Sequence, residues 1–269
     1  MLKCLSLLEI IVRLNRKTMW LGLVMVVAGI AAGEKLTATS SSDAVLDALH
    51  DRGTDLKDFT ADVVLREIDN DTGLASSRTG KIAYQAKGTP GDARLHVVFT
   101  QKQEENANPR AEKIEYLLDN GWLIDRDYKR QTETKRQVLR PGQKVNLLKL
   151  GEGPFPLPIG QEKIEVYRQF DVSQSPLPPG DKNNLPHVTL TPKPGTDLAK
   201  RFATIDVWVD PATNMPTLIR TVDVNKTATR ETELSNFHIN ESGAAIDPEF
   251  VLEKVDPNVW TVREEPFSE

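Results

Sequence analysis

Apolar side chains recur at every second position through most of this chain, and that period restricts its possible folds more than any other feature. Phe59, Ala61, Val63 and Leu65 alternate with Thr60, Asp62 and Arg66; Ile82 and Tyr84, then Leu95, Val97 and Phe99, then Ile114, Tyr116 and Leu118 continue the pattern. Side chains on a strand point to opposite faces in turn, so each run describes a strand with one buried side. Such strands assemble into antiparallel sheets covered on one face.

Turn chemistry separates the runs. Asp69-Asn70-Asp71-Thr72-Gly73 reads as a hairpin turn, and Asn120-Gly121 is the strongest short-range hairpin signal in the chain. Trp122 to Asp127 and Tyr128 to Val138 follow as strands, the second polar enough to be an exposed edge. The pattern resumes with Val188 and Leu190, then Ile205, Val207 and Val209, a turn at Asp210 to Asn214, then Leu218, Val222 and Val224, then Leu234, Phe237 and Ile239. Ten or eleven strands result.

Three stretches keep a helical period instead. Ser41, Ser42 and Asp43 can cap a helix carrying Val45, Leu46 and Leu49, with Gly53 placed to end it. Val145, Leu147, Leu148 and Leu150 suggest a helical turn, and Ile164, Tyr167 and Phe170 recur at helical spacing beyond the proline-rich segment Gly151 to Gly160. A second proline-rich loop spans 174–186. No period of 20 to 50 residues repeats, which excludes propellers and solenoids. One curved sheet partly closed by helices is the simplest packing.

The first residues carry an address. Arg13, Arg16 and Lys17 precede the apolar run Met19 to Ala32, after which small residues give way to polar sequence, as in a secretory signal peptide. The run is shorter than the ~20 residues needed to cross a bilayer, so a permanent transmembrane helix is the weaker reading. The expected division is a signal peptide over 1–32 and a single domain over 33–269. Cleavage would remove four of 34 Lys/Arg and one of 39 Asp/Glu, leaving a net charge of −8. That acidity argues against a nucleic-acid partner. The single cysteine, Cys4, precedes the apolar run, so the mature chain has no thiol or disulfide and relies on its own core. A periplasmic monomer fits these features.

No constellation for catalysis is present. His50, His96, His187 and His238 fall on separate elements without metal-ligand spacing, and neither a GxSxG, an HExxH nor a P-loop pattern occurs. No catalytic residue, metal or cofactor is expected. Asp69, Asp71 and Gly73 depart from a calcium loop in spacing and lack its later Glu, so a turn is the better reading. Asp125 and Asp127 share a strand face among Arg126, Lys129 and Arg130, as in a solvated, charge-compensated strand. The basic cluster Arg126, Lys129, Arg130, Lys135, Arg136, Arg140 and Lys144 is either a solvated edge or a docking surface for an acidic partner or headgroups.

From the capped helix onward the chain resembles the periplasmic outer-membrane lipoprotein carriers, the LolA and LolA-like family. The matching pieces, in family order, are Leu56 to Ala61, Gly80-Lys81-Ile82, Asp119-Asn120-Gly121, Gln131-Thr132, Leu190 to Lys193, Phe202, Ile205-Asp206-Val207, Asp210, Pro248 and Phe250. The likeness spans roughly residues 41 to 262 and rests on order and coverage, since each motif is short. It departs where the strand after Gly121 carries Asp125 and Asp127 instead of aromatics. It departs again where the family has an arginine-proline pair after the second strand, for which Lys87 is the nearest basic substitute.

The resemblance implies a mainly β fold, a half-open antiparallel β-barrel of about eleven strands with a helical lid over an apolar concavity. It implies a carrier for the acyl chains of lipoproteins or a related lipid, receiving cargo from an inner-membrane release complex and delivering it to an outer-membrane acceptor. The residues expected to line the cavity are Val63, Leu65, Tyr84, Leu95, Val97, Phe99, Trp122, Ile124, Phe155, Leu157, Ile205, Val207, Leu218 and Val222, with Lys87 as a polar contact. A lipid-sensing regulatory domain of an anti-sigma-factor pathway is the alternative on the same fold.

Overall fold

A computed structural model of the chain describes residues 35–88, 92–140, 143, 148, 159–174 and 184–267. The expected signal peptide, the segment carrying Phe155 and Leu157, and Lys144 lie outside the described residues. The first helix, α1 (Ser42–Asp55), begins as its sequence requires, with the Ser41 hydroxyl accepting from Ala44 N at 3.2 Å and Asp43 in the first turn. It buries Val45, Leu46 and Leu49. Gly53 does not end it. The missing side chain instead lets another backbone in, since a Cβ there would stand 2.2 Å from Gly160 Cα.

Six strands follow as a meander: β1 (Asp58–Asp69), β2 (Ala75–Ala86), β3 (Ala93–Glu104), β4 (Arg110–Asp119), β5 (Trp122–Asp127) and β6 (Thr132–Gln137). The β1–β2 turn is closed by Asp69, whose carboxylate accepts from Asp71 N and Thr72 N while Gly73 takes a φ of 73°. Asn120 and Gly121 both adopt positive φ, 49° and 78°, the geometry that a two-residue hairpin between β4 and β5 demands. After α2 (Lys163–Gln169) comes a second meander, β7 (Phe170–Ser173), β8 (His187–Pro192), β9 (Phe202–Val209), β10 (Pro216–Asp223) and β11 (Ala228–Ile239). A 3₁₀ segment at Gly243–Phe250 leads to β12 (Thr261–Glu265).

The strands form one unclosed twelve-stranded sheet, in the order β12-β6-β5-β4-β3-β2-β1-β11-β10-β9-β8-β7. The two meanders are joined where β1 pairs antiparallel with β11, Val63 opposite Leu234. Open sheets of this width coil, because the twist between neighbouring strands accumulates. A mainly β, open, barrel-like sheet with few helices is the architecture that the alternation requires. The strand count exceeds the expectation because of β12, which pairs parallel to β6, so β6 is not the edge its polarity suggests.

The helix-covered face carries the main core. Phe59, Ala61 and Val63 of β1, Ile82 and Tyr84 of β2, Leu95, Val97 and Phe99 of β3, Val188 and Leu190 of β8, Ile205 and Val207 of β9 and Ile219 of β10 join α1, Leu148, Ile159 and Val166 in one buried cluster. Each Val, Leu, Ile or Phe side chain removed from water here contributes about 1.5–3 kcal/mol, so this face dominates stability. The opposite face has a small cluster, Ala83, Leu117, Ile246 and Phe250, where the 3₁₀ segment lies against β2 and β3.

Helix α2 corrects one reading of period. Ile164 is 65% exposed, Val166 is the buried residue, and Phe170 opens β7. Polar contacts hold the outer side of α2 to α1: Lys163 Nζ donates to Asp47 at 2.8 Å and Tyr167 OH to Asp43 at 2.6 Å. Val224, expected on a strand, lies past the end of β10 and is exposed.

Candidate functional site

The helix-covered face changes character along β2 to β6, and the change follows from register. On β4, Leu118 stands opposite Leu95, Tyr116 opposite Val97, and Ile114 opposite Phe99, all on the core side. Two residues further along the same face the side chains become charged, with Glu112 and Arg110 on β4, Lys102 opposite Arg110 on β3, and Arg78 opposite Lys102 on β2. The face is therefore an apolar strip, shut under helices at one end and opening at the other into a polar pocket of about 410 Å³. Across the pocket Asp125 and Asp127 of β5 and Thr132 and Thr134 of β6 complete the wall.

Of the side chains expected to line a cavity, Val63, Tyr84, Leu95, Val97, Phe99, Ile205 and Val207 are brought together in the buried cluster, and Leu65 packs against it. Phe59 and Tyr84 stack with ring centroids 5.6 Å apart, and burial pushes the Tyr84 phenol up to about 12. Four others are placed elsewhere. Ile124 packs on the small cluster of the opposite face, and alternation along β5 puts Trp122 on that same side, leaving Leu123 toward the core. On β10, Ile219 opposite Val207 is the core position, so Leu218 and Val222 are not in the strip. Lys87 bonds the Asp119 carboxylate and Asn120 Oδ1 at the β4–β5 hairpin, remote from the polar pocket.

The polar pocket is the part that reading by apolar period misses. Its signal was nonetheless present, since Arg78 shares the alternation of Ile82 and Tyr84. Burial, reinforced by the charge of Asp127, holds the Asp125 carboxyl above its usual range. Tyr116, in the same wall, is raised by burial and then by Asp125.

The basic cluster read from sequence does not form one surface. Lys129 and Arg130 line the pocket, whereas Arg126 points to the opposite face and is buried. There its Nε donates to Glu133 at 2.5 Å and its Nη1 to the Glu253 carbonyl at 2.8 Å, with Glu115 3.9 Å away. Tyr128 OH donates to Glu115 at 2.6 Å and its ring meets Trp260 edge-on at 5.1 Å. The C-terminal segment thus straps a buried ionic network and ends as β12, where Arg136 pairs with Glu265 at 2.6 Å.

Among the described residues no group of three His, Cys, Asp or Glu is arranged to hold a metal ion, and no helix is long and apolar enough to cross a membrane.

No family model matches the sequence, and no curated protein matches it. Solved structures do align with the fold over most of its length. An uncharacterized conserved protein from Thermus thermophilus aligns with 83% of this chain and 98% of its own, at 9% identity and a TM-score of 0.43. The MucA/MucB complex of Pseudomonas aeruginosa aligns at 10% identity and a TM-score of 0.42, covering 78% of this chain and 60% of that one. The structural neighbours also include a LolA superfamily protein from Nitrosomonas europaea, at 12% identity and a TM-score of 0.28, with 82% of this chain and 98% of that one covered.

Proposed function

We propose that this chain is an exported carrier that shields the acyl chains of a lipoprotein or related lipid on the inner face of its sheet during transfer through the periplasm toward the outer membrane. The observation that carries the reading is the apolar strip itself, roofed by two helices with Leu148 and Ile159 rather than by a second sheet. An acyl chain in water costs ~0.8 kcal/mol per CH₂, so a shielded apolar face is what moving one through an aqueous compartment requires.

The roof is unequally fixed. Helix α1 buries three apolar side chains, whereas α2 buries only Val166 and is latched by partly exposed contacts such as Lys163 to Asp47. Exposed pairs of this kind contribute ~0–1 kcal/mol. Helix α2 is therefore the element that yields to an entering chain.

Native mass spectrometry of protein purified from its host, followed by organic extraction, tests the reading, with acyl-bearing cargo as the expected result. Empty protein that also takes up no fluorescent fatty acid would overturn it, and a stoichiometric protein partner without lipid would favour the regulatory alternative.

A further inference from the structure

The polar mouth of the groove plays no part in shielding hydrocarbon, and its charges follow a pattern of their own. Arg78, Lys102 and Arg110 face one another directly across β2, β3 and β4. Like charges opposed across a ladder repel, so this row costs free energy unless anions offset it. Glu67 lies 3.2 Å from Arg78, Glu104 2.7 Å from Lys102 and Glu112 3.3 Å from Arg110. Glu67 is shared with Arg230 at 3.0 Å, so these four cations divide three carboxylates. The field is felt at Glu104, whose carboxyl is held below its usual range by the hydrogen bond from Lys102, with Arg110 and Arg78 adding to it. Lys129 and Arg130 join the same pocket, Arg130 only 3.6 Å from Asp127.

Two further acids, Asp125 and Asp127 on β5, stand beside the apolar strip and not beside the basic row. Asp127 is level with Ile114 and Asp125 with Tyr116, two and four residues nearer the core than Glu112. An anion is therefore drawn to the basic row and repelled from the stretch beside Asp125 and Asp127, which fixes where along the sheet it stops. From the mouth an apolar track continues over Ile114 and Tyr116 to Leu118, and Phe99 meets Tyr116 edge-on at 6.5 Å. Ile114 to Leu118 spans ~14 Å of strand. One acyl chain occupies about half of a ~30 Å hydrocarbon core, so the two lengths match.

We propose that the row Arg78, Lys102 and Arg110 binds the phosphate of an amphiphile whose acyl chain lies on the adjoining apolar strip, making the cargo a phospholipid. The proposal rests on the carrier reading and narrows it, because the acylated cysteine of a lipoprotein brings no phosphate to this position. Arginine at two of the three places suits a phosphate, whose oxygens match the planar donor fork.

Displacement of a bound fluorescent fatty acid from the delipidated full chain tests this, comparing lysophosphatidic acid with a monoacylglycerol of the same chain length. The phosphate compound is expected to displace at about tenfold lower concentration, the equivalent of ~1.4 kcal/mol, with the advantage shrinking in high salt. In Arg78→Gln the ratio falls toward one. Arg110, whose side chain is half exposed, and Lys129, also exposed, supply a variant that keeps its fold: Arg110→Gln with Lys129→Gln should cut the ratio about threefold at an unchanged urea midpoint. Equal displacement by the two lipids on the wild type overturns the phosphate site and leaves the carrier reading standing, whereas no uptake of the fluorescent acid overturns the carrier reading itself. Glycerol 3-phosphate binding as tightly as the acylated compound would overturn the amphiphile in favour of a free-phosphate site.

Discussion

Truncating Phe99 to alanine distinguishes a packed inner face from a loosely filled one. The ring is 1% exposed on β3, opposite Ile114 on one side and Gly80 on the other, and edge-on to Tyr116 at an interplanar angle of 78°. Burying a phenyl ring removes ~150–250 Å² from water, and at ~25 cal/mol/Å² that is about 4–6 kcal/mol before subtracting what the alanine methyl retains. Substitutions of this type cost ~3–5 kcal/mol, and loss of the edge-to-face pair accounts for ~0.5–1.5 of it. Gly80 offers no side chain to fall into the hole, which places Phe99→Ala near the upper end, at ~4–5 kcal/mol. Urea unfolding measures this as a midpoint shift of roughly 2 M for a slope of ~2 kcal/mol/M. The vacated space is apolar, so decanoate should enter it and return ~2.7 kcal/mol at a concentration 100 times its Kd. A loss under ~1 kcal/mol would refute the packing argument, and no recovery with decanoate would refute the claim that this face accepts an acyl chain.

Trp122→Ala should leave fatty-acid uptake unchanged, because that side chain faces away from the strip; a fall in uptake measured by fluorescence titration would show that the alternation is misplaced on β5. Glu133→Leu should destabilise by ~3 kcal/mol, since it removes the nearest carboxylate from the buried Arg126 guanidinium, while the double variant with Arg126→Met should lose much less, as a double-mutant cycle in urea would show. Burial pushes the His96 imidazole below 6.5, so the unfolded chain takes up that proton first as the pH falls. Its contribution is present above pH ~6.5 and is lost below it, with a slope of up to ~1.4 kcal/mol per pH unit that His96→Gln should remove from the stability profile.

The strands were legible because a half-buried strand writes its burial into alternate positions, as in Phe59 to Leu65 and Leu95 to Phe99. The β5 limits follow directly from Asn120-Gly121, whose positive φ angles set the hairpin register. Reading failed where that code is weak. On β10 the apolar Leu218, Ile219 and Val222 fit either face, and on the short helix α2 Ile164, Val166 and Tyr167 fit more than one stripe. β12 was illegible because all five of its residues are exposed and carry no burial pattern.

The sequence by itself determined that this is a mainly β chain, where most strands and hairpins fall, and which residues can be apolar inner-face positions, because those properties depend on local period and turn chemistry. The order of basic, apolar and small residues over 1–32 carries the expectation of a signal peptide, on residues outside those described. Tertiary structure alone decided which of two faces each strand turns inward, that the basic residues between 126 and 136 separate onto both faces, and that Arg78, Lys102 and Arg110 stand in one row. Those facts depend on pairing between strands far apart in the chain and on bulges such as the one between Phe99 and Gln101, and a local period does not encode them.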